Sequence, residues 1–396
     1  MPQPAATTAT PTPPIPTPPA PPRRVAWFGH AEGRRADGLS TYSRETVAAL
    51  RGRGVEVRFF SHDLDGEVTP VDDPVRLRAL RLKTLTLSLP GSIERIQAAL
   101  DEFRPDVVHC SWSFSNLDGT IGRLARARGA ATVATFHLPY AAPRSARGRV
   151  LRGLYRYHNR ALSTYQRCVA LSQDQADLLV AAGYPPDRIE VIHNGVDTEA
   201  ISPGPSPLRE RLGAAFVVAY MGRLDPEKRV PALVRSFLAL GWPQDHVLVI
   251  AGGGVQERRV RRLAAGHANV HVLGVVSDPQ HRSDLLRAAD VFVLPSTAEG
   301  LALSMLEAMS AGCAVVATDA GEDAAALGDA GVAIPVTPLE PHLGDALRRL
   351  RGDAGLRADL GSRARQRVVE HYGLRGNVDR LLDVYAALHA RGAVAA

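Results

Sequence analysis

The chain has 396 residues, 45% of them hydrophobic and 22% charged, enough for two domains with real cores and the balance expected of a soluble protein. No run approaches the ~20 apolar residues that crossing a bilayer requires, so any membrane contact is expected to be peripheral. The net charge of +6 is unevenly placed: residues 23–200 carry 25 basic against 20 acidic side chains, residues 201–396 carry 22 against 21, and ten arginines but no acid stand between Asp118 and Asp174. Such asymmetry calls for a partner or for another reason, such as a solvated basic face. Cys110, Cys168 and Cys313 lie far apart without metal-ligand spacing and read as reduced, packed thiols of a cytoplasmic protein.

Residues 1–22 hold ten prolines and no charge and are expected to be a disordered tail. They lack the basic start and apolar stretch of a secretory signal. In residues 23–200 short strand-like runs alternate with helical patterns: Arg24–Gly29, Val55–Phe60, Asp106–His109, Ala131–His137, Val169–Ser172 and Ile189–His193. The segment 201–207 includes Ser202-Pro-Gly-Pro-Ser-Pro207, a natural connector. Residues 208–375 repeat the alternation with Phe216–Met221, Val247–Ala251, Val270–Leu273, Val291–Leu294 and Ala314–Thr318. Residues 376–396 read as a C-terminal helix packing back on the first domain. The class is therefore α/β, with two Rossmann-like, doubly wound parallel sheets facing each other across a cleft.

Candidate chemistry sits where those strands end. Gly222-Arg-Leu-Asp-Pro-Glu-Lys228 follows one strand, and Ser296-Thr-Ala-Glu-Gly-Leu-Ala-Leu-Ser304 leads from another into an apolar helix. Arg223, Lys228 and the free N–H groups of Ala302, Leu303 and Ser304 at the helix start form an expected anion site, suited to a diphosphate. The competing reading pairs Arg223 and Lys228 with Asp225 and Glu227 beside them, worth ~0–1 kcal/mol when exposed, against ~1.5–3 kcal/mol for a charge-assisted bond to a ligand. Ser304 and Glu307 stand in the S-x-x-E spacing of a capping box, which accounts for Glu307 but not for Glu299. Two other patterns are weaker. Asp63-Leu-Asp65 has the D-x-D metal spacing but also suits a turn, and Gly252-Gly-Gly254 has Glu257 where a dinucleotide loop needs a third glycine.

Glu299 and Glu307 in E-x7-E spacing, with Gly222-Arg-x4-Lys228 and Asn194-Gly-Val-Asp197, resemble the retaining, nucleotide-sugar-dependent glycosyltransferases of family 4, which have the GT-B fold. The resemblance runs from about Arg24 to the C-terminal helix. It implies that Arg223 and Lys228 hold the donor diphosphate and that Glu299, with Gly300 leaving room, contacts the donor sugar. Glu307 would accept from the ribose hydroxyls, and Gly222 and the Leu301–Ser304 backbone would complete the donor site. Asp37-Gly-Leu-Ser-Thr-Tyr42 matches the family's glycine-rich loop, with Gly38 allowing close approach, and His137 matches its cleft histidine. The implied catalytic set is His137, Arg223, Lys228 and Glu299, acting by front-face displacement with no metal and no cofactor beyond the nucleotide sugar.

For the acceptor, Arg149, Arg152, Arg156 and Arg160 recur at spacings of three and four, a basic stripe beside apolar Leu151, Leu154 and Leu162. Each arginine near an anionic bilayer contributes ~1 kcal/mol. Val108-His-Cys-Ser111, Val133–Pro139 and Glu299–Met309 resemble the cyanobacterial branch that makes digalactosyldiacylglycerol from UDP-galactose and monogalactosyldiacylglycerol. This implies a glycolipid partner and a cytoplasmic enzyme peripheral on an inner or thylakoid membrane. Two alternatives stand beside it: a soluble sugar, sugar phosphate or polysaccharide acceptor, and a non-catalytic two-domain solute-binding protein. Nucleic acid is not expected, because no aromatic stacking platform accompanies the charge.

Overall fold

The computed structural model describes residues 22–29, 38–63, 73–82, 85–112, 115–137 and 160–395. One sheet holds β1 (Arg24–Phe28), β2 (Glu56–Asp63), β3 (Val75–Leu82), β4 (Leu85–Ser88), β5 (Val107–Trp112), β6 (Ala131–Phe136), β7 (Arg167–Ala170) and β8 (Ile189–Val191), in the order β4-β3-β2-β1-β5-β6-β7-β8. Its pairs are parallel except β3 with β4. The other sheet holds β9 (Phe216–Met221), β10 (His246–Ala251), β11 (Val270–Gly274), β12 (Val291–Leu294), β13 (Ala314–Thr318) and β14 (Val332–Ile334), all parallel, in the order β11-β10-β9-β12-β13-β14.

The central strands β5, β6, β9 and β10 are buried along their whole length, as apolar runs covered on both faces must be. Strand order reverses between β1 and β5 and between β9 and β12. Loops leaving the carboxyl ends on either side of such a reversal diverge and leave a crevice. β3, β4 and β14 lie outside the expected runs. In β3 Leu77 and Ala79 point in while Arg76 and Arg78 face water, the alternation of a strand covered on one face only.

The helix Leu374–Ala395 lies on the first sheet. Val378, Leu381, Tyr385 and Leu388 share one core with Val25, Trp27, Val57, Val107 and Val133, spaced as a single helical stripe. Its Tyr385 hydroxyl meets His109 Nδ1 at 2.6 Å, and His109 Nε2 meets Thr135 Oγ1 at 2.7 Å. Burial pushes the His109 imidazole down to about 3, so it stays neutral, one nitrogen donating and the other accepting. His109 is thus a satisfied core residue.

The chain crosses between the sheets at two places that touch. Val196 N–H donates to Tyr372 O at 3.0 Å and Leu374 N–H donates to Val196 O at 2.9 Å, while Asn377 Nδ2 donates to His193 O at 2.8 Å. The proline-rich segment is tied to the second sheet's helices, with Ser206 Oγ donating to Asp284 O at 2.6 Å and Arg287 Nε donating to Ser202 O at 2.8 Å.

Tyr385→Phe removes one bond of the buried His109 network and leaves a ring nitrogen unsatisfied, a cost of ~1–3 kcal/mol. Thermal unfolding should show Tm lowered by roughly 2–4 °C per kcal/mol. An unchanged Tm would contradict this account of the helix.

Candidate active site

Between the sheets lies a cavity of about 540 Å³. Gly38, Leu39, Thr41, Arg44, His137, Gln175 and Asn194 line it from the first domain; Gly222, Arg223, Lys228, Gly252, Arg282, Glu307 and the run Glu299–Ser304 line it from the second. Gly38, His137 and the expected donor-site residues Gly222, Arg223, Lys228, Glu299–Ser304 and Glu307 therefore share one cavity. Of the basic stripe, Arg160 is exposed and is not among the lining residues; Arg149, Arg152 and Arg156 lie outside the described residues, as do Asp37, Asp65 and nearly all of the expected tail.

The Arg223 loop is shaped from beneath. The buried Tyr220 hydroxyl donates to Arg223 O at 2.7 Å, and Leu224 N–H donates to Gly253 O at 2.9 Å. Gly252 has φ +142°, and a Cβ there would lie 1.8 Å from Gly222 O. The glycine run 252–254 thus serves as backing for the Arg223 loop, because only glycine permits that approach. Arg223 itself is 42% exposed and pairs with Asp225 and, at 2.9 Å, with Glu227. The local pairing weighed from sequence is present, and it is of the weak exposed kind.

Lys228 pairs with Glu299 rather than with its neighbour Glu227. Thr297 N–H donates to Glu227 O at 2.8 Å, stitching the two loops so that Lys228 reaches across. Glu299 also accepts from Ser296 Oγ at 2.5 Å. Glu299 thus looks into the cavity, beside Gly300, whose nearest cross-domain neighbour is Gln175 Nε2 at 3.8 Å from an added Cβ.

The expected capping box does not form. The helix spans Leu303–Ser310 with Ala302 at its N-cap, so Ser304 lies inside the first turn and cannot cap. Ala302 N–H is given to Asp323 Oδ1 at 2.9 Å. Leu303 and Ser304 follow, with no carbonyl a turn behind them to accept their N–H groups. Asp323 is buried and held well above the usual carboxylate range, first by burial and then by Glu299. Asn194 Nδ2 donates to Leu301 O at 3.0 Å, joining the domains at this helix mouth.

Glu307, 2% exposed, pairs with Arg282 of the helix Pro279–Ala288. Burial pushes its carboxyl up to about 7; Arg282 pulls it down, Glu45 pushes it up and Arg44 pulls it down. On the opposite wall His137 follows β6, its ring 4.7 Å from the edge-on ring of Tyr42, whose hydroxyl lies 3.3 Å from Thr135 Oγ1. A side chain at Gly38 would meet open space.

Sequence reading missed Arg282, Arg44, Glu45 and Asp323, which belong to no short motif and meet the site only through tertiary packing.

The sequence profile described as Glycosyltransferase Family 4 matches residues 36–200, and that described as Glycosyl transferases group 1 matches residues 215–353. The D-inositol 3-phosphate glycosyltransferase of Acidothermus cellulolyticus is 30% identical over 362 residues, 82% of this chain and 80% of that one. The chain belongs to glycosyltransferase family 4. Two solved structures share its fold. Sucrose-phosphate synthase from Thermosynechococcus elongatus superposes with a TM-score of 0.75 at 20% identity over 93% of this chain and 100% of that one. Anabaena HepE in complex with UDP-glucose gives 0.68 at 17% identity over 92% and 100%.

The glycosyltransferase is thus a GT-B protein with its cleft at the two switch points. Gly252→Ala should push Gly222 and the Arg223 loop out of place. Nucleotide binding by calorimetry is expected to fall roughly tenfold or more, the effect of losing one or more charge-assisted bonds. Binding equal to wild type would show that the glycine run does not shape the site.

Proposed function

We propose that this glycosyltransferase moves a hexose from a nucleoside-diphosphate sugar, UDP-linked, to a phosphorylated soluble acceptor, with retention of anomeric configuration. The observation that carries the reading is the meeting of Arg223, Lys228 and the open Leu303–Ser304 backbone with Glu299 and Glu307 in one cavity, facing His137. Arg223 and Lys228 would exchange their carboxylate partners for the donor diphosphate, and the helix N-terminus would add two N–H donors. Glu307 would accept from the ribose diol and Glu299 from the sugar hydroxyls, since one carboxylate takes two such bonds at once.

In the reaction the bond from the anomeric carbon to the diphosphate oxygen breaks, and the acceptor oxygen bonds that carbon on the same face. The leaving phosphate oxygen takes the acceptor proton. Cations and helix N-terminus stabilise the charge growing on the diphosphate, while His137 meets the transferred sugar from the other wall. HepE, which shares the fold, binds UDP-glucose, which supports a UDP-linked donor.

For the acceptor, the relative named for D-inositol 3-phosphate favours a soluble phosphorylated hydroxyl compound over the glycolipid expected from the sequence. On this reading the arginines at 149, 152, 156 and 160 serve an anionic acceptor group rather than a bilayer. No helix among the described residues is long and apolar enough to cross a membrane.

The test is incubation with UDP-, GDP- and ADP-hexoses against inositol phosphates, hexose phosphates and a total lipid extract, with products identified by mass and by NMR of the anomeric linkage. Transfer to a phosphorylated acceptor without lipid, with retention, is expected. Arg223→Ala and Lys228→Ala should each lower kcat/KM by roughly 10- to 100-fold, the loss of one charge-assisted bond. Product formed only with lipid, together with salt-sensitive binding to anionic vesicles, would restore the glycolipid reading. Tight sugar-nucleotide binding without any transfer would instead indicate a solute-binding protein.

A further inference from the structure

Around Glu307 stand three charged residues, Arg282, Arg44 and Glu45, to which the reaction as described gives no role. Arg282 and Glu307 come from the second domain, on the helices Pro279–Ala288 and Leu303–Ser310, and Arg44 and Glu45 come from the first, on the helix Gly38–Gly52. Arg282 is paired directly with Glu307 and is itself 14% exposed. Glu45 bonds Arg44 as an ion pair at 3.5 Å and also feels Arg282.

A buried carboxylate without a cation takes up a proton and ceases to be a pure acceptor. A protonated Glu307 offers a diol one acceptor fewer and places a hydroxyl donor where the ribose also donates. We propose that Arg282 is a positioning residue that keeps Glu307 in the charged, doubly accepting form a ribose diol requires, and that Glu45, brought by the first domain, competes for the same guanidinium. The inference rests on the reading that Glu307 holds the nucleotide ribose. It makes the donor pocket's affinity depend on a residue of the opposite domain.

The groups that bear on Glu307 are few. Arg282 and Arg44 favour its charge, Glu45 opposes it, and Asp197, after β8, acts on Glu45. β12 and β13, packed on the same helix, are apolar there apart from Thr318, which bonds backbone carbonyls. Arg365 bonds Ser310 at the helix's far end.

Because binding needs the charged carboxylate, affinity is full above the carboxyl's pH of about 7 and falls below it, by about tenfold per pH unit once well below. Arg282→Gln raises that point by about 1–3 units, as loss of an adjacent opposite charge does. Glu45→Gln moves it the other way. Damage to the fold would not shift two variants in opposite directions.

The experiment is calorimetric titration of the full chain with UDP, GDP and ADP from about pH 5.5 to about 9, bracketing the free carboxyl range and its raised value. The tightest binder serves as probe for wild type, Arg282→Gln, Arg282→Lys, Glu45→Gln and Glu307→Gln. The probe's own phosphate titration is common to all and cancels. Arg282→Gln should move the fall-off to higher pH and weaken binding near neutrality by at least about fivefold, the fraction charged lost in a one-unit shift. Arg282→Lys should restore part of it, Glu45→Gln should extend binding to lower pH, and Glu307→Gln should bind weakly with the fall-off gone.

A profile unmoved in Arg282→Gln, or weakened equally at every pH, overturns the proposal while leaving the ribose assignment standing. Should Arg282→Gln fail to fold, the direction of the Glu45→Gln shift decides. Glu307→Gln binding like wild type, or no binding of any of the three nucleotides, removes the ribose reading itself.

Discussion

Lys228 and Glu299 leave the carboxyl ends of two different strands, β9 and β12, and meet in the cleft wall with 13% and 10% of their side chains exposed. Taking both charges out of water is costly, and their mutual contact and the Ser296 hydroxyl help to offset it. The pair therefore fixes the two loops relative to each other across the point where strand order reverses. Those loops carry the guanidinium of Arg223, the mouth of the Leu303–Ser310 helix, and Glu307 one turn in. On the proposed reading a donor diphosphate would offer Lys228 a second anion beside Glu299.

The same logic repeats deeper in the cavity with Glu307 and Arg282. Lys228 and Arg282 each stand against a carboxylate that itself has a proposed ligand role. Such an arrangement brings this wall of the cleft close to electrical balance. It also explains why acids stand where an anionic ligand is proposed to bind.

Much of this was legible in the sequence. Apolar runs such as Val291–Leu294 are strands because nothing but a doubly covered sheet hides them, and Arg223, Lys228, Glu299 and Glu307 declared themselves by spacing at strand ends. What stayed hidden depended on contacts distant in sequence. The Ser304 and Glu307 spacing suggested a cap, yet the helix begins two residues too early for Ser304 to provide it, and Arg282, 25 positions away, takes Glu307 instead. The glycine run at 252–254 looked like half a nucleotide loop, while its reason is the backbone of Gly222 packed against it. β3 was obscured by arginines that are simply on its wet face.

Through the helix Leu374–Ala395 the chain returns from the second domain to the core of the first. Two covalent strands of chain therefore span the domains, and Val196 and Gly373 pair where they cross. A single linker would let one domain swivel about any axis. Two tethers bonded side by side leave one easy direction, that of a book turning on its spine, so each opening of the cleft returns the facing walls to the same register.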